Sequence, residues 1–134
     1  AAAYWGHRGG LVVGGRSAGA RSATRCATGL AALGCLALSF PLHPPGKPDK
    51  SRVEELVGAG VPTLVVQGER DSMGHPEEFP AGTELIVVPA ADHGMRVPKR
   101  AAVGQEQAMA AMVQQVEAWL QRLTAAPGSL STAD

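Results

Sequence analysis

Residues 11–20 read LVVGGRSAGA, an apolar run that stops at two glycines and then passes through a serine into small residues. This order predicts a strand, a sharp turn and a helix, with Ser17 at the apex of the turn. Gly15 and Gly19 flank the serine in the spacing G-x-S-x-G. We expect glycine at both positions, because a serine in a strained turn leaves no room for side chains two residues away.

The spacing G-x-S-x-G is that of a nucleophile elbow, a turn that raises a serine hydroxyl above the carboxyl edge of a sheet. In such a turn the backbone N–H of the next residue, Ala18 in this chain, is free to face a developing oxyanion. Gly, Ala and Ser are common in this sequence, so the motif alone is weak evidence for catalysis. Its weight depends on the strands around it and on residues further along the chain.

The rest of the chain alternates apolar runs with helical segments. The predicted strands lie at 10–14, 34–40, 62–67 and 84–88. The predicted helices lie at 18–30, 51–57 and 103–123. Continuous apolar runs are typical of strands covered on both faces, and their alternation with helices implies right-handed crossovers. The predicted fold is therefore α/β, a parallel sheet of about four strands with helices on both faces.

Local signals set the expected boundaries of the helices and of the domain. Ser51 followed by Glu54 fits a capping box at the start of the short helix. An apolar stripe in the last helix is expected to pack into the core; it consists of Met109, Met112, Val113, Val116, Trp119, Leu120 and Leu123. We expect one domain over residues 1–125, frayed at 1–9, and a flexible polar tail over 126–134.

Composition narrows the class of function. Twelve basic and twelve acidic residues give a formal net charge of zero, and aromatic residues are few, so nothing suggests a nucleic-acid partner. No apolar run reaches the length of a membrane span, and residues 1–8 lack the pattern of a secretory signal, so we expect a cytoplasmic protein. Cys26 and Cys35 lie in apolar surroundings and are expected to be buried, reduced and structural.

Three residues suited to one reaction follow predicted strands, where a parallel sheet places its sites. Ser17 follows the first strand, Asp71 the third and His93 the fourth, which is the order of nucleophile, acid and histidine in α/β-hydrolases. An imidazole can take the serine proton and return it to the leaving group, while a carboxylate on its other nitrogen fixes the tautomer. Asp92 is the alternative carboxylate, but it is adjacent to His93 in the sequence. A carboxylate and an imidazole on adjacent loop residues rarely form a good hydrogen bond, which favours Asp71.

Other polar residues near the predicted site are less informative. Arg16 and His43 are candidates for the substrate pocket, although a structural role in the proline-rich loop 41–48 is an equal alternative for His43. The histidines lack the spacing of metal ligands. The glycine turn is neither a P-loop nor a dinucleotide fingerprint, because Arg16 stands where the middle glycine would be. We therefore expect no metal and no cofactor.

Four blocks of the sequence together resemble one family. They read GGRSAGAR at 14–21, FPLHPPGKP at 40–48, VQGERD at 66–71 and ADHG at 91–94. The chain resembles the dienelactone-hydrolase-like branch of the α/β-hydrolases, which includes bacterial predicted hydrolases and the hydrolase-like domain of a non-specific-lethal chromatin complex subunit. The resemblance covers nearly the whole chain up to the last helix. It implies the α/β-hydrolase fold and catalytic roles for Ser17, Asp71 and His93, but no particular substrate.

One departure from that family bears on activity. Its members carry several strands and a loop with a second oxyanion donor before the elbow, so the resemblance implies the C-terminal portion of a larger hydrolase domain. The first strand would then be a bare sheet edge, through which two copies of the chain could pair. The predicted function is a serine hydrolase acting on an ester, thioester or similar small acyl compound. A non-catalytic hydrolase-like scaffold and an inactive fragment are the alternatives.

Overall fold

The structure is a computed structural model that describes residues 10–132, with side chains described as far as residue 125. Its elements are β1 (Val12–Arg16), α1 (Ala18–Cys26), β2 (Gly34–Leu38), α2 (Val53–Val57), β3 (Thr63–Gly68), a 3₁₀ turn (Pro76–Glu78), β4 (Glu84–Val88) and α3 (Gln105–Thr132). The four strands are parallel and lie in the order β1-β2-β3-β4. The predicted α/β fold is confirmed.

Helices cover both faces of the sheet, as predicted. Cys35 of β2 and Val65 of β3 pack on the face that carries α1 and α2. Side chains of a strand point alternately to the two faces of the sheet, so Leu64 and Val66, the neighbours of Val65 in β3, pack against α3 on the other face. Because both faces are buried, apolar residues are favoured at successive positions of a strand rather than at every second one. This is why the central strands read as unbroken apolar runs.

Two elements end before the predicted residue. α1 ends at Cys26 rather than at residue 30, and the chain then turns through a left-handed conformation at Ala31 (φ 54°). β2 ends at Leu38 rather than at residue 40, because Ser39 (φ 50°) leaves the extended conformation. Residues other than glycine rarely adopt such φ values, so neither end carries a signal in the sequence.

The cap of α2 is displaced from the predicted capping box. α2 begins at Val53 with Arg52 in the N-cap position. The Val53 N–H donates to Ser51 Oγ at 3.1 Å, so the serine does support the start of the helix. It does so from one residue further out than predicted.

The two cysteines differ in exposure. Cys35 is buried as predicted, and burial raises the pKa of its thiol to about 11. Cys26 is exposed, so the prediction of a buried side chain is wrong there. Ala23 of α1 and Ala27, the first residue after it, pack with Cys35 of the sheet, and adjacent residues on a helix point about 100° apart. Cys26 therefore faces away from the core at the end of the helix.

The last helix is longer than predicted. α3 begins at Gln105 and its backbone is helical to Thr132, so it extends over the segment from 126 for which a flexible tail was predicted. The hydrogen bonds of a helix close within the helix, so it can continue past its last packed residue. Val113 is 58% exposed, whereas the rest of the predicted stripe packs on the sheet around Trp119. The expected frayed start at 1–9 and residues 133–134 of the tail lie outside the described residues.

The sheet has β1 at one edge and β4 at the other, as far as the described residues go. Pairing of two copies through β1 stays a prediction. No helix within residues 10–132 contains a stretch long and apolar enough to cross a bilayer.

Replacing Trp119 tests the packing of α3 on the sheet. Trp119 is only 3% exposed, so Trp119→Ala should lower the free energy of unfolding by about 3–5 kcal/mol. The matched change Val113→Ala, on the exposed side of the same helix, should alter it by no more than about 0.5 kcal/mol. Urea unfolding followed by circular dichroism measures both. Equal losses in the two variants would contradict the observed orientation of the helix.

Candidate active site

Ser17 occupies the turn between β1 and α1 in a strained backbone conformation, with φ 55° and ψ −119°. Hydrogen bonds hold the turn on both sides. The Ser17 N–H donates to Leu38 O of β2 at 2.9 Å, and the Ser17 carbonyl accepts from the Ala20 N–H of α1 at 2.8 Å. The strain is therefore offset by the secondary structure that surrounds the turn.

The two glycines of the G-x-S-x-G motif are not equivalent. A Cβ on Gly15 would lie 2.3 Å from both the carbonyl carbon and the oxygen of Gly19, so no side chain fits there. A Cβ on Gly19 would have no neighbour within 4 Å among the described residues. The expectation that the turn excludes a side chain is confirmed for Gly15 and is wrong for Gly19. The crowding is one-sided, because the backbone of Gly19 itself occupies the space beside Gly15.

The structure brings Ser17, His93 and Asp71 into contact. Ser17 Oγ lies 2.9 Å from His93 Nε2, and His93 Nδ1 lies 2.9 Å from Asp71 Oδ2 and 3.0 Å from Asp71 Oδ1. A carboxylate only accepts hydrogen bonds, so the proton of the neutral imidazole is assigned to Nδ1, and the Nδ1–H donates a hydrogen bond to Asp71. That tautomer leaves Nε2 free to accept from the serine hydroxyl. The histidine side chain is 27% exposed, while that of Asp71 is fully buried.

Asp71 follows β3 and is held by donors from several directions. Its Oδ1 accepts from the Met73 N–H at 2.8 Å, within its own turn. Its Oδ2 accepts from the Gln67 side chain at 3.2 Å. With His93 as a third donor, the carboxylate has the partners that a buried charge requires. Gln67 carried no signal in the sequence beyond being a polar residue near the end of an apolar strand.

Asp92 shapes the loop that presents His93. Asp92 Oδ1 accepts from the backbone N–H groups of Gly94 and Arg96, at 2.9 Å each. The carboxylate next to the histidine in sequence is thus engaged with its own loop, whereas Asp71 pairs with the imidazole. The preference for Asp71 over Asp92 therefore agrees with the contacts in the structure.

Gly68 allows the His93 loop to cross the end of β3. A Cβ on Gly68 would lie 2.5 Å from Ala91 O and 2.7 Å from Asp92 O. Backbone at that distance can hardly yield, so only glycine permits the approach. Gly68 went unrecognised in the sequence, because a glycine at the end of a strand is also a common turn residue.

Ala18 and Arg16 lie on either side of the serine. Both are exposed. Within the described part of the chain the Ala18 N–H has no hydrogen-bond acceptor and Arg16 forms no ion pair. Their roles as oxyanion donor and pocket residue stay predictions.

His43 lies at the same edge of the sheet but is only 5% exposed. Its Nδ1 is 2.7 Å from Pro44 O and its Nε2 is 2.7 Å from Glu78 Oε1, so both ring nitrogens face acceptors. The Pro44 carbonyl and the Glu78 carboxylate raise the pKa of His43, and His43 in turn lowers the pKa of Glu78. This arrangement suits an imidazolium that ties two loops together. It leaves little of the ring for a substrate, and the pocket role of His43 stays a prediction.

Two further features bear on what the site can bind. A cavity of about 390 Å³ lies between α2 and residues 80–84, and none of Ser17, Asp71 and His93 lines it. Within residues 10–132 no group of three or more His, Cys, Asp or Glu residues is placed to hold a metal ion.

Comparison with known families identifies the class of protein. The model of the alpha/beta hydrolase domain family matches residues 2–121. The chain therefore belongs to the alpha/beta hydrolase family, and the superfamily implied by the four sequence blocks is confirmed. No curated protein matches the chain.

Three solved structures with a similar fold are an esterase domain, a serine hydrolase and a serine hydrolase homologue. The esterase domain of a Rhodothermus marinus protein is 13% identical, with a TM-score of 0.58 over 84% of this chain and 60% of that one. XC6422 from Xanthomonas campestris, described as an a/b serine hydrolase without lid, is 20% identical, with a TM-score of 0.52 over 82% of this chain and 48% of that one. An alpha-beta serine hydrolase homologue from Coxiella burnetii is 19% identical, with a TM-score of 0.47 over 63% of this chain and 41% of that one. The chain thus spans between 41% and 60% of these proteins.

The glycines of the motif give a matched pair of variants. Gly15→Ala should lower the free energy of unfolding by about 1–3 kcal/mol, because the methyl group of the alanine meets rigid backbone. Gly19→Ala should be neutral or stabilising, since the methyl group enters open space and alanine favours a helix by about 1 kcal/mol. Thermal or urea unfolding distinguishes them. A Gly15→Ala variant as stable as Gly19→Ala would show that the turn is not packed in this way.

The His43–Glu78 pair should make stability depend on pH. A raised pKa at His43 stabilises the fold below its ordinary value of 6.5, and this contribution is lost as pH rises through the raised pKa. A lowered pKa at Glu78 stabilises the fold above 4.5, and this contribution is lost as pH falls through the lowered pKa. The destabilisation caused by Glu78→Gln should therefore be largest between about pH 4.5 and 6.5 and smaller at pH 9.

The control for that measurement is Glu77→Gln, which removes an exposed carboxylate from the same turn. Urea unfolding of both variants and the wild type is compared at pH 3, 5.5 and 9. A loss in Glu78→Gln that does not change with pH would mean that the pair is not ionic.

Proposed function

We propose that the protein is a serine hydrolase that acts on an ester, thioester or similar small acyl compound. The observation that carries the proposal is the continuous line of contacts from Ser17 Oγ through His93 to Asp71, at 2.9 Å for each of the two steps. These are the distances over which a base takes a proton from a nucleophile while a carboxylate orients the base. Membership of the alpha/beta hydrolase family supports the same reaction class.

The proposed reaction has two halves. His93 Nε2 takes the proton of Ser17 Oγ as the oxygen attacks the acyl carbon, and the Ala18 N–H donates to the oxyanion that forms. Asp71 stabilises the resulting imidazolium, which then passes its proton to the leaving alcohol or thiol. Water then attacks the acyl-serine while His93 Nε2 takes its proton, and that proton returns to Ser17 Oγ as the ester bond to the serine breaks and the acid is released. The first of these proton transfers uses the contact of 2.9 Å between Ser17 Oγ and His93 Nε2 that is already formed.

The expected rate is limited by the oxyanion site. Among the described residues, the elbow offers the Ala18 N–H as a donor to the oxyanion. Removal of one such donor typically costs about 10²–10³ in kcat. We therefore propose that turnover is slow where no second donor faces the oxyanion, although Ser17 is reactive.

A non-catalytic scaffold is the second candidate. Under that hypothesis the hydroxyl of Ser17 would have no task, and Ser17→Ala would leave partner binding intact. The presence of three side chains in mutual contact argues for chemistry instead, because a binding surface has no need of a strained serine beside a histidine.

A fluorophosphonate probe tests the proposal on the full chain. The wild type should form a covalent adduct at Ser17, detected by mass spectrometry of tryptic peptides. Ser17→Ala should not react there, and Asp71→Asn should react at least about 10²-fold more slowly, because the imidazole loses its orienting partner. Urea-unfolded protein is the control for reaction of the probe with a serine outside the folded site, and it should not be labelled. A folded wild type that is not labelled would favour the scaffold.

A further inference from the structure

We propose that Gln67 is a positioning residue, which fixes the plane of the Asp71 carboxylate and through it the imidazole of His93. The inference rests on the proposed function. Gln67 is the penultimate residue of β3 and is fully buried in a strand whose other residues are mainly apolar. A buried amide is costly unless it is bonded, so its partners indicate what it does.

The amide of Gln67 is first anchored to the backbone of Phe40. Its Oε1 accepts from the Phe40 N–H at 3.0 Å, and its Nε2 donates to the Phe40 carbonyl at 3.0 Å. Phe40 follows the end of β2 and is itself fully buried. Two bonds to one residue leave the amide a single orientation, because a flip would set oxygen against oxygen. Gln67 is therefore a rigid group rather than a mobile one.

The same nitrogen reaches both ends of the turn that carries the carboxylate. Gln67 Nε2 donates to Asp71 Oδ2 at 3.2 Å and to Gly74 O at 3.0 Å. Nε2 has two hydrogens for three acceptors, so one of them is shared. A donor held by two backbone groups thus sets the position of the Asp71 turn relative to β2, the strand beside Ser17.

The two oxygens of Asp71 are fixed by different donors. Oδ1 is held by the Met73 N–H at 2.8 Å and Oδ2 by Gln67. One donor alone would leave the carboxylate free to rotate about its Cβ–Cγ bond. Two donors on opposite oxygens define its plane, and His93 Nδ1 then meets both oxygens at nearly equal distances, 3.0 and 2.9 Å. Without Gln67, Oδ2 keeps only the bond from His93 Nδ1, which is the group that the carboxylate itself orients.

The test compares Gln67→Met with Thr24→Val in the full chain. Methionine keeps the length of the side chain but neither donates as the amide does nor accepts strongly. Thr24 is buried in α1 and its hydroxyl donates to Arg21 O at 2.8 Å, so Thr24→Val removes a buried hydrogen bond that has no contact with Asp71. Urea unfolding identifies conditions under which both variants are folded.

Two measurements follow under those conditions. The first is the ¹H–¹⁵N resonance of the His93 Nδ1–H, which should shift or broaden in Gln67→Met and stay unchanged in Thr24→Val. The second is the rate of fluorophosphonate labelling at Ser17, which should fall roughly tenfold in Gln67→Met and less than twofold in Thr24→Val, by analogy with other outer partners of site residues. With an ester that is turned over, kcat should fall while KM stays the same.

A second variant keeps the inference testable if Gln67→Met does not fold. Gln67→Glu retains an oxygen that can accept from the Phe40 N–H, and its carboxyl can donate to Asp71 only while protonated. Its labelling rate should therefore fall as pH rises and the introduced carboxyl ionises, whereas general-base catalysis by His93 makes the wild-type rate rise. Unfolding measurements at each pH confirm that the protein remains folded.

The outcomes separate this inference from the proposed function. A folded Gln67→Met with an unchanged His93 resonance and a labelling rate within twofold of Thr24→Val would overturn the role of Gln67. If the wild type is folded but not labelled, the proposed function fails, while the His93 resonance still decides whether Gln67 positions Asp71.

Discussion

The burial of the Asp71 carboxylate is the constraint from which the rest of the site follows. A charge without contact with water persists only where donors surround it, and removing one partner of such a group typically costs several kcal/mol. The three donors around Asp71 come from its own turn, from β3 and from the loop after β4. Satisfying this one group therefore orders three segments at the carboxyl edge of the sheet. Among the described residues, His93 in the loop after β4 connects the Asp71 carboxylate to the Ser17 hydroxyl.

Close packing of backbone explains how those segments meet. At Gly15 and Gly68 a side chain would strike carbonyl groups of another segment, at 2.3 and 2.5 Å. Each glycine thus lies where backbone must pass against backbone, under the elbow in one case and under the His93 loop in the other. Because carbonyl groups have no rotamers, such contacts hold distances more tightly than side-chain packing does. The elbow and the His93 loop, which these two glycines allow to pass, carry two of the groups that meet in the contacts of 2.9 Å at the imidazole.

Much of this arrangement was predictable from the sequence. Unbroken apolar runs located four parallel strands, and the rule that sites lie at their carboxyl ends selected Ser17, Asp71 and His93 from many polar residues. Less predictable were the features set by tertiary contacts, such as the exposure of Cys26, the early ends at Ala31 and Ser39, and the open space beside Gly19. A φ angle or a neighbour distant in sequence decides each of these, and neither leaves a periodic pattern in the chain.

His43 and His93 show why residue type alone does not decide a role. Both ring nitrogens of His43 face acceptors, a setting that favours the charged imidazolium. His93 faces a carboxylate on one side and a hydroxyl on the other, so one nitrogen donates while the other can accept. Only the second setting suits a base, since a general base must have a free lone pair directed at the proton that it removes. The same comparison separates Asp71, which faces an imidazole, from Asp92, which faces backbone N–H groups of its own loop. In both pairs, the partners that the fold brings together distinguish two residues of the same type.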